Sequence, residues 1–295
     1  MGRGILLEIK RKISSIKSTM HMTRAMEMVA TARLQLFKKN LKNFYEYEKE
    51  FSSTFERISS SIEDIDEVKN FIWQETPSNV MIVVIAGDMG LCGSYNDDIV
   101  NASYDREKTL GKAFNSFYVI GSKVNKRMGF DGKKIRNSII DMYSKPFYDD
   151  AQSLSNELIR IYGKGEIDCI EIIHGYSKSS LIQSVKDEIF LPIKIDKKSQ
   201  NISYDFEPSA EEMLKVIMPQ YFGSKMYRIL LESRISEQNA RQNAMRNATE
   251  NAKKLMDDFS LKYNKMRQFY ITQEVIEITN SSESLKGEES TTHHL

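Results

Sequence analysis

The chain has 295 residues, enough for one large or two modest domains. With 42 Lys and Arg against 41 Asp and Glu, its net charge of +1 excludes a global electrostatic pull toward nucleic acid. Two cysteines, Cys92 and Cys169, make no disulfide framework and point to a reducing compartment.

The first predicted element is a long helix over residues 3–58. Apolar residues alternate at steps of four and three: Ile9, Ile13, Ile16, Met20, then Ala30, Leu34, Phe37, Leu41, Phe44, Phe51, Phe55 and Ile58. Thr23, Glu27 and Glu48 continue the register. Such a seam is the mark of a coiled coil, and the helix would reach roughly 80 Å. Residues 1–45 are basic, which suits nucleic acid, an anionic membrane, an acidic protein surface or simply a solvated face. No apolar core with a cleavage site opens the chain, and no apolar run spans a bilayer, so the sequence predicts a soluble protein without a targeting segment.

An acidic stretch (Glu63, Asp64, Asp66, Glu67) and Pro77 mark a boundary. Val80 to Ala86 reads as a strand buried on both faces. A loop follows, Gly87-Asp88-Met89-Gly90-Leu91-Cys92-Gly93, then a helix from Asn96 to Leu110, a strand at Phe117–Ile120 and a short helix at Lys123–Met128. An edge strand is expected at Ser138–Met142, and a helix capped by Asp149 or Asp150 should run to Tyr162. Cys169–His174 and a segment within Gln183–Ile193 complete a small, mostly parallel α/β sheet.

Ser209 with Glu212 fits a capping box at the start of the second long helical segment, which Pro219 should kink or interrupt. Met245, Ala248, Ala252, Leu255, Phe259 and Met266 form its seam. From Asn280 the chain is Ser-, Glu- and Thr-rich and is expected to be mobile.

Chemistry-bearing motifs are sparse. The Gly87–Gly93 loop stands where α/β folds cradle phosphates, but it has no Lys-Ser or Lys-Thr pair and no dinucleotide spacing; it is read as a structural or partner-contacting turn. Cys92 lacks a nearby His or second Cys and is expected to be inert. His21, His174, His293 and His294 show no metal-ligand spacing.

Four blocks resemble the γ subunits of F-type ATP synthases. They are Ile13–Thr19 leading into Thr23–Ala30; Gly90-Leu91-Cys92-Gly93; Glu237–Arg241 with Ala244–Ala252; and Tyr263–Gln268 with Ile271–Ile278. The resemblance implies a fold of α/β class. A long antiparallel coiled coil of N- and C-terminal helices joins a small, mostly parallel α/β domain. The divisions are 1–76 (N-terminal helix and linker), 77–207 (α/β domain), 208–280 (C-terminal helix) and 281–295 (polar tail). It implies a non-catalytic rotor shaft without a cofactor, coupling ion flow to ATP synthesis or hydrolysis. The shaft sits in a ring of three α and three β subunits, with the ε subunit and the membrane c-ring at its base. It binds no nucleic acid, and it is peripheral to the cytoplasmic side of a bacterial inner membrane.

Carried over by position, Arg24, Met26 and Glu27 would meet the moving part of the β subunits. Arg267, Gln268, Thr272, Gln273 and Glu274 would face ring loops higher up. Gly90, Leu91, Cys92 and Gly93 would form a lower-domain loop. Where the family has Gly-Ala and a short apolar end, this chain has Ser281-Ser282 and a polar tail. That departure leaves open a related shaft in a specialised motor with a different output. A free-standing α/β enzyme or nucleotide binder using the Gly87 loop, and a coiled-coil scaffold or nucleic-acid binder, are the readings from other classes.

Overall fold

Strand β1 (Val80–Ile85) is buried along its whole length in the computed structural model, which describes residues 2–60, 77–141, 147–193, 207 and 209–291. A strand covered on both faces must have neighbours on both edges and layers above and below. β1 pairs in parallel with β2 (Phe114–Ile120) and with β4 (Cys169–Ser177). β3 (Ile135–Ile139) extends the parallel sheet beyond β2, and β5 (Gln183–Leu191) lies antiparallel to β4, giving the order β3-β2-β1-β4-β5.

The period of two along each strand sorts the core into two layers. Ile82, Val84, Phe117 and Val119 face α2 (Tyr95–Leu110) and α3 (Ser122–Phe130), which bring Ile99, Val100, Val124 and Met128. Met81, Val83, Ile85, Tyr118 and Ile120 face α4 (Tyr148–Gly163), through Leu154 and Leu158, and the last helix, α5 (Ala210–Thr291), through Phe222, Met226 and Leu230.

Helix α1 (Gly2–Ser60) follows the predicted seam closely. Ile9, Ile13, Ile16 and Met20 are half-buried, and Ala30, Leu34, Phe37, Phe55 and Ile58 are buried. On α5, Met245 and Ala252 are buried, but Leu255 is half exposed and Met256 takes its place in the seam.

The chain forms two compact units, Met1–Glu27 with Met245–Leu295, and Met28–Ala244. In each, α1 and α5 run antiparallel. In the first, Thr23 meets Thr249 and Glu27 meets Arg246. In the second, Thr31 meets Gln242, Leu34 and Phe37 pack with Leu231 and Ile235, and Phe55 stacks on Tyr221 at 4.1 Å between ring centroids.

Three local expectations need revision. The edge strand is Ile135–Ile139, earlier than Ser138–Met142, and its far end lies outside the described residues. Pro219 does not interrupt α5; Met218, Tyr221 and Phe222 around it pack on the core, and the Gln152 amide donates to its carbonyl at 2.7 Å. The helix also continues past Asn280 to Thr291. At its start, Ser209 Oγ accepts from the Glu212 N–H at 3.3 Å, the N-cap half of the expected box. Asp150 closes back on the Phe147 N–H at the start of α4. The acidic stretch 63–67 and residues 292–295 lie outside the described residues.

Candidate functional site

The residues singled out in the sequence fall into two places. The first is the helix pair of residues 2–27 and 245–291. Its seam carries hydrogen-bonding groups where apolar residues would be ordinary. Thr23 is buried and shares a 2.7 Å hydrogen bond with Thr249, while Arg246 Nε donates to Glu27 at 3.1 Å. These pairs fix register, because a slide of one turn would leave Thr23 without its partner. Arg24 is exposed and Met26 half-buried, so one turn presents both a cation and a thioether beside the Glu27–Arg246 pair.

Further along α5, Arg267, Gln268, Thr272, Gln273 and Glu274 are all exposed, and Thr272 Oγ1 donates to the Gln268 carbonyl of its own helix. Apolar residues share this stretch: Phe269, Ile271, Val275, Ile276 and Ile278 are each more than half exposed. A helix with solvent-facing isoleucines between polar groups has the composition of a contact surface.

The second place is the seat of α5 on the sheet. The loop after β1 is held by Asn96, whose Oδ1 accepts from Gly87 N at 2.9 Å and whose amide donates to the Met89 carbonyl at 3.3 Å. Leu91 and Gly93 both take left-handed backbone, with φ of 62° and 61°, and this turns the chain into α2. Leu91 is exposed, Gly90 half-buried and Cys92 buried. The carbonyls of Met89 and Gly90 face the Arg241 guanidinium at 3.5 and 3.4 Å. The loop thus offers acceptors to a cation, the opposite polarity from a phosphate cradle. Burial pushes the Cys92 thiol up, away from the reactive thiolate.

Arg241 belongs to a buried ionic triad. Glu237 pairs with both Arg234 and Arg241, and all three are more than nine-tenths buried. Beside it, the Tyr95 hydroxyl meets the Ser233 carbonyl and hydroxyl at 3.0 and 2.9 Å, and the Asn239 amide donates to Ser177 Oγ at 2.9 Å. Asp88 Oδ1 accepts from the Ser122 N–H. The sequence reading gave Arg234, Glu237, Arg241, Tyr95 and Asn96 no role. The available signal was the Arg-x-x-Glu-x-x-x-Arg spacing of α5, which puts three charges on one helix face.

A second buried node centres on Arg228. Its guanidinium bonds Glu232 at 2.9 Å, Glu188 at 3.1 Å and Glu48 at 3.4 Å, joining α5, β5 and α1. His174 adds a contact to Glu188 at 3.2 Å. The fold therefore assembles His174 with Glu188 and Glu232, which sequence spacing did not indicate, and Arg228 already serves both carboxylates. Burial alone would raise the Glu188 carboxyl; the His174 hydrogen bond and the Arg228 charge outweigh it and hold it well below the usual range.

A family model described as ATP synthase matches residues 5–285. The ATP synthase gamma chain of Christiangramia forsetii is 33% identical over 287 residues, covering 96% of this chain and 99% of its own length. This chain belongs to the ATP synthase gamma-chain family. The gamma chain of Syntrophobacter fumaroxidans is 32% identical, with 95% and 99% of the two chains covered.

Among solved structures, a chain of Euglena gracilis mitochondrial ATP synthase (OSCP, F1 and c-ring) matches with a TM-score of 0.69 at 15% identity, over 97% of this chain and 96% of that one. A chain of the Tetrahymena thermophila mitochondrial ATP synthase central stalk and c-ring matches with a TM-score of 0.62 at 23% identity, over 77% and 99%. These likenesses bear on the fold. No helix among the described residues of this gamma chain is long and apolar enough to cross a membrane.

Proposed function

We propose that this gamma chain acts as the rotor shaft of an F-type ATP synthase and performs no catalysis itself, ATP being turned over on the surrounding α and β subunits. Three copies of each would enclose the helix pair, and the ε subunit and the membrane c-ring would hold the base. The chain would be peripheral to the cytoplasmic side of a bacterial inner membrane. The observation that carries this reading is the contact-surface character of α5 between Arg267 and Ile278, where polar and apolar side chains are exposed together.

Three identical β subunits around one asymmetric shaft each meet a different face. Each is thereby biased toward a different nucleotide state, and turning the shaft moves the bias. Arg24, Met26 and Glu27 are assigned to the β subunits' moving region; Arg267, Gln268, Thr272, Gln273 and Glu274 to ring loops; and Gly90 to Gly93 to the lower domain under the ring. The exposed basic groups of the first helix suit an acidic β surface.

The test is native purification in gentle detergent with intact-mass analysis and an ATPase assay. One copy of this chain with three α and three β subunits, active on ATP, is expected, together with ε and c subunits. Recovery of the chain alone, or a single chain that binds ATP by itself, would overturn the proposal.

A further inference from the structure

The shaft role makes no use of a cavity of about 450 Å³ at the β5 edge of the sheet. That volume is in the range of small-molecule sites. Its walls come from β4, β5, α2 and the start of α5, all within the unit Met28–Ala244.

The charges around it are unevenly matched. Arg106 Nε and Nη2 are engaged with Glu171 at 2.7 and 2.6 Å, which leaves Nη1 for another acceptor. Glu188 is held by Arg228, Lys186 and His174. Asp187 lies on the exposed part of the rim. Lys225 is the exception. It is half-buried, its ammonium donates to the Ile189 carbonyl at 2.7 Å and lies 5.5 Å from the Phe190 ring centroid, and no carboxylate pairs with it among the described residues. The charges that favour this ammonium, Glu188 and Glu48, make no direct contact with it; an ammonium removed from water without a contacting counter-ion is costly, and two of its three donors remain. The Tyr221 hydroxyl also lines the cavity and has no hydrogen-bond partner among the described residues.

We propose that this cavity binds a small oxyanion, the phosphate or carboxylate head of a small molecule, with Lys225 as counter-ion and the Tyr221 hydroxyl and Arg106 Nη1 as further donors. Of the acids in the lining, Glu171 is paired with Arg106, Glu188 shares Arg228 with Glu48 and Glu232 and is also held by Lys186 and His174, and Asp187 is turned to solvent. Burial lowers the Lys225 ammonium to about 8, so the site is charged at neutral pH and loses its charge in mild alkali. Burial likewise pushes the Tyr221 phenol up to about 12, which keeps it a donor throughout that range.

Thermal unfolding of the full chain in inorganic phosphate, against sodium chloride of equal ionic strength, tests this. Phosphate should raise the midpoint saturably, since a ligand that binds only the folded state stabilises it. Measured with acetate, whose charge is constant over this range, the apparent affinity should fall about tenfold between pH 7 and pH 9, following the protonated fraction of Lys225. Lys225→Met, which keeps the apolar stem, should abolish the response, and Tyr221→Phe should weaken it several-fold. Should Lys225→Met fail to fold, the Tyr221→Phe variant and the pH dependence still decide. Acetate in place of phosphate identifies the preferred head group. Absence of a saturable shift with both anions, an equal shift in Lys225→Met, or an affinity unchanged at pH 9 would overturn the assignment.

Discussion

Thr23 and Thr249 stand 226 residues apart in sequence and share a 2.7 Å hydrogen bond across the helix pair. Each hydroxyl also lies within reach of a carbonyl of its own helix, Thr23 of Met20 at 3.1 Å and Thr249 of Met245 at 2.8 Å; with one proton apiece, one threonine donates across the pair and the other donates to its own helix. The two threonines thus form a small polar lock in the seam, Thr23 buried and Thr249 half-buried. Each valine substitution should cost about 1 kcal/mol, and the double variant should cost less than the sum. Urea unfolding of the four chains of this cycle measures the coupling; strict additivity would mean that the bond contributes nothing.

Glu237 compensates two buried arginines at once. Glu237→Gln leaves Arg234 and Arg241 without it inside the protein. Breaking a buried ion pair by removing one partner costs about 3–5 kcal/mol, so this single change should rank among the most destabilising in the chain. The urea midpoint reports it, and a loss no larger than that of a surface carboxamide swap would contradict the burial argument.

Gly175 lies under the Tyr95 ring. A Cβ there would stand 2.3 Å from Tyr95 Cε2, so alanine must displace the ring and with it the bonds to Ser233. Gly175→Ala should cost about 1–3 kcal/mol. In a Tyr95→Ala background the same change should be nearly free, and comparison of the two thermal midpoints tests the steric cause.

Glu188 makes stability depend on acid. Its carboxyl is held lower in the folded chain than in the unfolded one, so unfolding takes up a proton below the unfolded value of about 4.3. The resulting stabilisation is present above that pH and is lost as acid approaches the folded value. Asp168, although partly desolvated, is also lowered, by hydrogen bonds from Ser78 and Asn79, and acts in the same direction. Urea midpoints between pH 5 and pH 3 should therefore fall steeply. The slope should flatten in Glu188→Gln, and an unchanged slope would assign acid sensitivity elsewhere.

Truncation after Ser282 should leave ATP-driven rotation of the assembled complex largely intact, because the residues removed lie almost wholly beyond the family match at residues 5–285. Rotation of a bead fixed to the shaft reads this directly. Complete loss of rotation would give the polar extension an essential role.

The helix seam was legible because its signal is repeated many times, so that Thr23, Glu27 and Glu48 did not erase it. Leu255 was misplaced because Met256 beside it serves the seam as well, and period alone does not separate two apolar neighbours. β1 was legible because burial on both faces leaves an unbroken apolar run. β3 was misplaced because an edge strand of sequence Ile-Arg-Asn-Ser-Ile keeps three exposed polar residues and carries little apolar signal. The seat of α5 was hidden for a different reason. Ser233 to Arg241 is polar and reads as a solvated face; only Tyr95 and the Met89–Gly90 carbonyls, far away in sequence, make it an interior. His174 was read alone for the same reason, since Glu188 and Glu232 reach it through strand pairing and helix packing.

The antiparallel pairing of the first and last helices also sets the timetable of synthesis. Thr23 leaves the ribosome 226 residues before Thr249, an interval of roughly 10–45 s at ordinary translation rates. Throughout that time the nascent α1 has its apolar stripe made and its mate not yet translated. The sheet between them can fold domain-wise in the meantime, but the first element begun is among the last to find its place.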